Sequence, residues 1–447
     1  MGIVLYLIFL FAVMVLSFRY FIPEDDRRYV FKLIMVCLPI QIVFLYLLNS
    51  IVPFVPIEID TYLYYIISQR QFESAYDYIN LQATAEFTEG WWDGIYLGKS
   101  WGGIYLHLLT IIHQFVGDSL FFCKLLNLTS FWPLVFAWYC IGRLFRGKTF
   151  ARYSATAIAW LPTLWYPFIV LHRDLLTSML HSIFFASLLQ YFYNTTRRRT
   201  HVTVATFSVI LLFALRQETI YINFVILLAV LAGIFIKELR ETIGFKHLTK
   251  IFLAGAAIVL ILAWFTTRPY SAISLRSLEQ TKGLLSLFLE GSEVGAESFG
   301  IRRIVSFLPL LLASEPTVAS KYLDFFDPEQ IRGIMNGPWF TFGVPFSILG
   351  LYMMVRLIFF VRPIRRQLTQ SAEEIGYRWG VIYGLLGYCV VWWIVCAISW
   401  DWTRWRLPVV PALVTVAVWS FTRLRCIERT SVLLGWIAVL VVWRIFL

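Results

Sequence analysis

Runs of about 17 to 25 mostly apolar residues, long enough for a helix to cross the hydrocarbon of a bilayer, recur along most of this chain. They fall near residues 3–18, 33–52, 120–142, 153–171, 175–194, 202–215, 219–236, 250–267, 339–361, 378–398, 405–421 and 431–447, about twelve crossings in all. Hydrophobic residues make up 59% of the 447 and charged residues only 15%, more apolar surface than a soluble protein of this length can bury. The sequence therefore predicts an all-α, polytopic transmembrane helix bundle of about 12 helices, with 1–447 forming a single integral-membrane domain. The run that opens the sequence has no basic residue before it and no small-residue cleavage site after it, which predicts a retained first helix.

Charge assigns a side to each connection. One alternating set of segments carries Arg19, Arg27, Arg28 and Lys32; then Arg143, Arg146, Lys148 and Arg152; then Arg197, Arg198 and Arg199; with further basic groups at 237–250, 356–378 and 423–429. This set holds 23 of the 38 Lys+Arg but only 8 of the 27 Asp+Glu, leaving the rest of the chain net acidic. Basic excess in short loops marks the cytoplasmic side, so the +11 formal charge reads as membrane orientation and not as a nucleic-acid surface. The six cysteines lie in or beside apolar runs without paired spacing, which predicts neither a disulfide framework nor a zinc site.

Two outer loops are long, about 53–119 and about 268–338. The first opens with Glu58 and Asp60, continues through Trp91 and Asp93, and ends in an apolar run closing at Val116. That run is too short for a crossing and is read as lying in, or re-entering, the outer interface. The remaining ionisable residues beside outer helix ends are His172, Arg173 and Asp174; Arg216 and Glu218; and Asp401, Arg404 and Arg406. Carboxylates at the mouth of a membrane helix sit where proton affinity is tuned by falling polarity, which makes Asp60, Glu58 and Asp174 the candidate catalytic groups. Asp174 and Glu218 also suit a helix start, as a cap or as a charge against the dipole. The arginines can grip phosphate oxygens in bidentate fashion. Arg173, Arg216, Arg404 and Arg406, together with Trp91, Asp93, His172, Glu218 and Asp401, form the candidate substrate-binding set, suited to a phosphate on a lipid tail. Transporters instead place ionisable groups near the midplane in two related halves, and no such halves are evident.

Several stretches resemble the GT-C superfamily of integral-membrane glycosyltransferases: the early outer-loop Asp60, Gly142-Arg143-Leu144-Phe145, Leu161-Pro162 followed by His172-Arg173-Asp174, and Arg404-Trp405-Arg406-Leu407-Pro408. The resemblance implies a polyprenyl-phosphate-linked sugar as donor; a glycan, lipid or protein as acceptor; and a bacterial inner membrane location with the site facing outside. It also implies an acidic base or metal ligand in the first outer loop, which falls on Asp60 or on Glu58, and leaves room for a divalent cation. The sequence departs from the pattern in that Ile59 separates the two acids and an extra helix precedes the loop. Arg173-Asp174 further resembles bacterial polysaccharide polymerases, which implies an undecaprenyl-diphosphate-linked glycan instead. A lipid or polysaccharide transporter is the alternative outside enzymes.

Overall fold

A computed structural model of the chain describes residues 2–51, 64–65, 68, 103–161, 164–165, 171, 173–194, 196–216, 220–242, 380–385, 387–389, 392 and 408–421. All its described elements are helices: α1 (Gly2–Phe21), α2 (Glu24–Ile51), α3 (Gly103–Val116), α4 (Leu120–Arg146), α5 (Lys148–Trp160), α6 (Asp174–Tyr193), α7 (Arg198–Arg216), α8 (Ile220–Thr242) and α9 (Val410–Phe421). Five of them contain stretches long and apolar enough to span a membrane: Gly2–Phe21, Glu24–Leu47, Leu120–Arg146, Asp174–Tyr193 and Arg198–Leu215. The remaining predicted crossings fall wholly or partly outside the described residues.

Helix α4 is the hub, packing against α1, α2, α3, α5, α6 and α9. Of its most apolar window 78% is buried, against 11% for α1, which turns Val4, Phe9, Phe11 and Leu16 outward as a lipid-facing surface does. Burying Phe131, Trp132, Phe136, Trp138 and Tyr139 along one helix concentrates the aromatic payload in the centre of the bundle. Two tight turns set the order of α3, α4 and α5. Gly117 (φ +73°) joins α3 to α4, and Gly147 (φ +87°) joins α4 to α5 while its N–H closes on the Arg143 carbonyl at 2.8 Å. Both are left-handed conformations that glycine adopts without a Cβ penalty.

Helix boundaries differ from the predicted ones for local reasons. Pro23 precedes α2, and Glu24, Asp25 and Asp26 fill its first turn, where negative charge meets the positive end of the helix dipole. The helix thus starts nine residues before its apolar run. The crossing predicted for 153–171 stops at Trp160: Leu161 is extended (φ −75°, ψ 113°) because the proline after it excludes the helical region. The 202–215 run extends to nineteen residues as α7, entered through Arg197 at φ +58°.

Contacts along the helices show that they alternate in direction. Tyr6 of α1 donates to the Phe122 carbonyl near the start of α4, and Tyr46 near the end of α2 packs on Phe121. At the other end Tyr20 bonds Ser187 of α6 at 3.2 Å and His201 of α7 at 2.8 Å. The bundle therefore has a Lys124 end, where α4 and α6 begin, and an Arg143 end. The first three basic groups of the alternating set all gather at the Arg143 end, as the charge pattern predicts. Helix α3, at 14 residues, is shorter than a crossing needs. It runs antiparallel along the first turns of α4, with Tyr105 reaching Asn127.

Candidate functional site

Polar groups accumulate at the Lys124 end. From α3, His113 lies beside the α3–α4 turn with its Nδ1 3.1 Å from the Gly117 carbonyl and its Nε2 3.0 Å from Ser68 Oγ. A carbonyl only accepts, so Nδ1 carries the proton of the neutral ring and Nε2 is left to accept from the serine hydroxyl. The Tyr65 carbonyl, 2.9 Å from Ser68 Oγ, competes with the ring for the one hydroxyl hydrogen, and Cys123 Sγ stands 3.8 Å from the same ring nitrogen. One turn deeper, Tyr105 donates to Asn127 Oδ1 at 3.1 Å while Tyr64 meets its ring edge-on at 5.3 Å. Tyr65 donates to Asp118 in the turn. Tyr64, Tyr65 and Ser68 are thus tied to α3 at two points and to the α3–α4 turn at a third, and Tyr64 follows Asp60 by only four positions in the sequence.

Lys124 lies in the same turns of α4 as Cys123 and Asn127, and none of its surface is exposed. It is the one lysine or arginine among the described residues that is fully buried. Asp174, 3% exposed, opens α6. The cap position belongs to Arg173, so Asp174 is not the N-cap that its place before an apolar run suggested; it stands in the first turn and still gains from the dipole. Arg173 donates through Nη1 to the Leu215 carbonyl at 3.1 Å, which joins the start of α6 to the end of α7 beside Arg216.

From Asp174 a polar stripe continues down α6. Ser178 donates to the Asp174 carbonyl at 2.7 Å, Ser182 donates to that of Ser178 at 2.7 Å, and Trp138 of α4 donates its indole N–H to Ser182 at 2.9 Å. His181 pairs with Asn223 of α8 at 2.6 Å and meets Trp392 edge-on at 5.0 Å. These contacts tie α4, α6 and α8 together in the interior, as polar side chains do between membrane helices.

The Arg143 end holds the other concentration of charge. Asp26, with no exposed surface, accepts from Tyr139, from Arg152 Nη2 at 2.6 Å and from Arg143 at 3.4 Å, with Lys148 Nζ at 3.4 Å. Asp25 takes Arg143 at 2.9 Å and Lys148 at 3.3 Å. The Arg152 guanidinium also lies over the Tyr29 ring, 4.8 Å from its centre.

Of the candidate residues read from the sequence, the structure describes Arg173 and Asp174 fully and Arg216 by its backbone; it brings all three to one end of the bundle. Glu58, Asp60, Trp91, Asp93, His172, Glu218, Asp401, Arg404 and Arg406 lie outside the described residues. Sequence reasoning passed over Lys124, although it is the only charged residue in the 120–142 run and an ionisable group inside such a run is a functional signal. His113, Ser68 and the Tyr105–Asn127 pair had no comparable signal, because their meeting depends on α3 folding back along α4. Among the described residues no group of three His, Cys, Asp or Glu could hold a metal ion. The four described cysteines are free and buried. No family model, curated protein or solved structure matches the chain.

Proposed function

We propose that this protein transfers a sugar from a polyprenyl-phosphate-linked donor to an acceptor at the extracytoplasmic face of a membrane, with the Lys124 end on that face. The observation that carries this reading is the convergence of Lys124, His113, Asn127, Arg173 and Asp174 at one end, together with Tyr64, Tyr65 and Ser68, which come a few positions after Glu58 and Asp60 in the sequence. The Arg143 end, by contrast, joins the first two basic clusters of the cytoplasmic set.

In this reading the acceptor hydroxyl loses its proton to a carboxylate, Asp60 or Glu58, as its oxygen attacks the anomeric carbon. The bond from that carbon to the phosphate oxygen breaks and polyprenyl phosphate leaves. Arg404 and Arg216 hold the phosphate, bidentate recognition being what an arginine offers over a lysine. Asp174 lies where a bound sugar would meet it. A divalent cation, if the reaction uses one, would draw on the acids of the first outer loop, Asp60 and Glu58.

Mass spectrometry of lipid copurified with the protein tests the substrate class. A monophosphate carrying a single sugar is the expected result. A diphosphate-linked oligosaccharide would replace this reading with a polymerase or ligase. Movement of intact substrate across proteoliposomes without chemical change would replace it with a transporter.

A further inference from the structure

Lys124, Phe131 and Trp138 are seven residues apart on α4 and share one stripe, since seven residues bring a helix back to within about 20° of the same direction. All three have no exposed surface. Contacts fix where the stripe points: Trp138 donates to Ser182 of α6 and meets the Tyr388 ring edge-on at 5.7 Å. The stripe faces the centre of the bundle, and two of its members fill that space with aromatic rings. At the third, packing alone would favour another apolar side chain. An ammonium taken out of water costs several kcal/mol, a cost that a bound anion would offset.

Its level in the bundle is equally informative. Taking the Trp138–Ser182 contact as the common reference, Lys124 stands fourteen residues up α4, about 21 Å, and Asp174 eight residues up α6, about 12 Å, at 1.5 Å per residue. By helical rise, position 124 therefore stands about 9 Å beyond position 174 along the bundle. A glycosyl phosphate can bridge such a gap, its phosphate at the lysine and its sugar toward Asp174. Asn127 and Tyr105 adjoin the lysine's turn of α4, and His113 with Ser68 lies beside Cys123, which puts neutral hydrogen-bonding groups at the same end of the helix.

We propose that Lys124 holds the phosphate of the lipid-linked substrate, at a buried site formed by the first two turns of α4 with α3 and with Tyr64, Tyr65 and Ser68. The inference rests on the lipid-phosphate reading above and adds a cation to it that the arginines at 216 and 404 do not supply.

The test measures binding of undecaprenyl phosphate, undecaprenol, inorganic phosphate and phosphatidylglycerol to the full-length protein in nanodiscs, for wild type and for Lys124→Met, Lys124→Gln and Lys124→Arg. Wild type should bind undecaprenyl phosphate at least about tenfold more tightly than undecaprenol, the size of effect one charged hydrogen bond supplies. Inorganic phosphate and phosphatidylglycerol should compete poorly. Lys124→Met and Lys124→Gln should abolish the preference for the phosphate, and Lys124→Arg should keep most of it. If wild type shows no preference for the phosphate, the lipid-phosphate reading itself fails and this inference with it. If wild type shows the preference and Lys124→Met retains it, only the role of Lys124 is overturned. Phosphatidylglycerol competing as well as undecaprenyl phosphate would make the site a bulk-headgroup anchor. Failure of both neutral variants to fold would make Lys124 a structural cation.

Discussion

At the Arg143 end of α4 two carboxylates meet three cations and a tyrosine, and each charge is answered by another from a neighbouring helix. At the Lys124 end the described hydrogen bonds join mostly neutral groups, Ser68 to His113 and Tyr105 to Asn127, around a buried ammonium and near a buried carboxylate. The two ends belong to the same helix and bury charge at similar depth. The described contacts differ in kind: ion pairs between helices at one end, mostly hydrogen bonds between neutral groups at the other. A network closed on itself locks α2, α4 and α5 in register. In the proposed reading the other end, with its buried lysine, its neutral hydrogen-bonding groups and an acid on the next helix, receives the substrate. One end therefore should govern folding and the other chemistry, and each variant below moves one quantity while leaving the other alone.

The largest effect is expected at Asp60. Asp60→Asn keeps size and most hydrogen bonding but removes basicity, and a positioned base contributes about 10²- to 10⁴-fold in rate. Turnover of labelled lipid-linked sugar should fall by that factor while the thermal unfolding midpoint stays at the wild-type value. Full activity in Asp60→Asn with loss in Glu58→Gln would move the base two residues upstream. A fall in stability that accounts for the lost turnover would erase the contrast between the ends.

Asp26→Asn should do the reverse. Removing one partner from a fully buried ion pair costs about 3–5 kcal/mol. Here the cations left behind keep 33–40% of their side-chain surface exposed, so about 2–3 kcal/mol is the appropriate expectation. Asp25, 49% exposed, is the control, and Asp25→Asn should cost less than about 1 kcal/mol. Unfolding in mixed micelles measures both. Donor binding should be unchanged in each folded variant; weaker donor binding in Asp26→Asn at wild-type stability would shift substrate recognition to the Arg143 end.

How much of this contrast can be read in the sequence follows from the range of the interactions. The apolar runs and the alternation of basic clusters are local, and they foretell the helical character, the start of α4 and the gathering of Arg19, Arg143 and Arg197 at one end. The break after Trp160 is also local, since Pro162 acts on Leu161 directly, and a prediction carrying that crossing to 171 weighed hydropathy above the proline. Glu24, Asp25 and Asp26 were legible only as three acids in a basic loop; the partners of the two aspartates come from α4 and α5, more than a hundred residues away. Lys124 was visible as a lone charge in an apolar run. Its importance emerges only when Trp138, on the same stripe, is seen against Ser182 and Tyr388 in the centre of the bundle.

The middle of α4 gives the smallest effect and the sharpest control. Ser182 commits its hydroxyl hydrogen to the Ser178 carbonyl at 2.7 Å, which leaves its lone pairs free to accept from Trp138 at 2.9 Å. Ser182→Ala strands a buried indole N–H. Hydrogen bonds between membrane helices average about 0.6 kcal/mol and reach about 1.7, and a stranded donor adds to the loss, so about 1 kcal/mol of destabilisation is expected. Trp138→Phe also costs stability, but through lost volume; the double variant separates the two terms, because only the hydrogen bond is shared. A coupling of about 0.5–1 kcal/mol with turnover unchanged would make this contact a plain tie between α4 and α6. Turnover falling tenfold at that small cost in stability would instead mean that the spacing of Lys124 and Asp174, which this contact sets, is itself part of the chemistry.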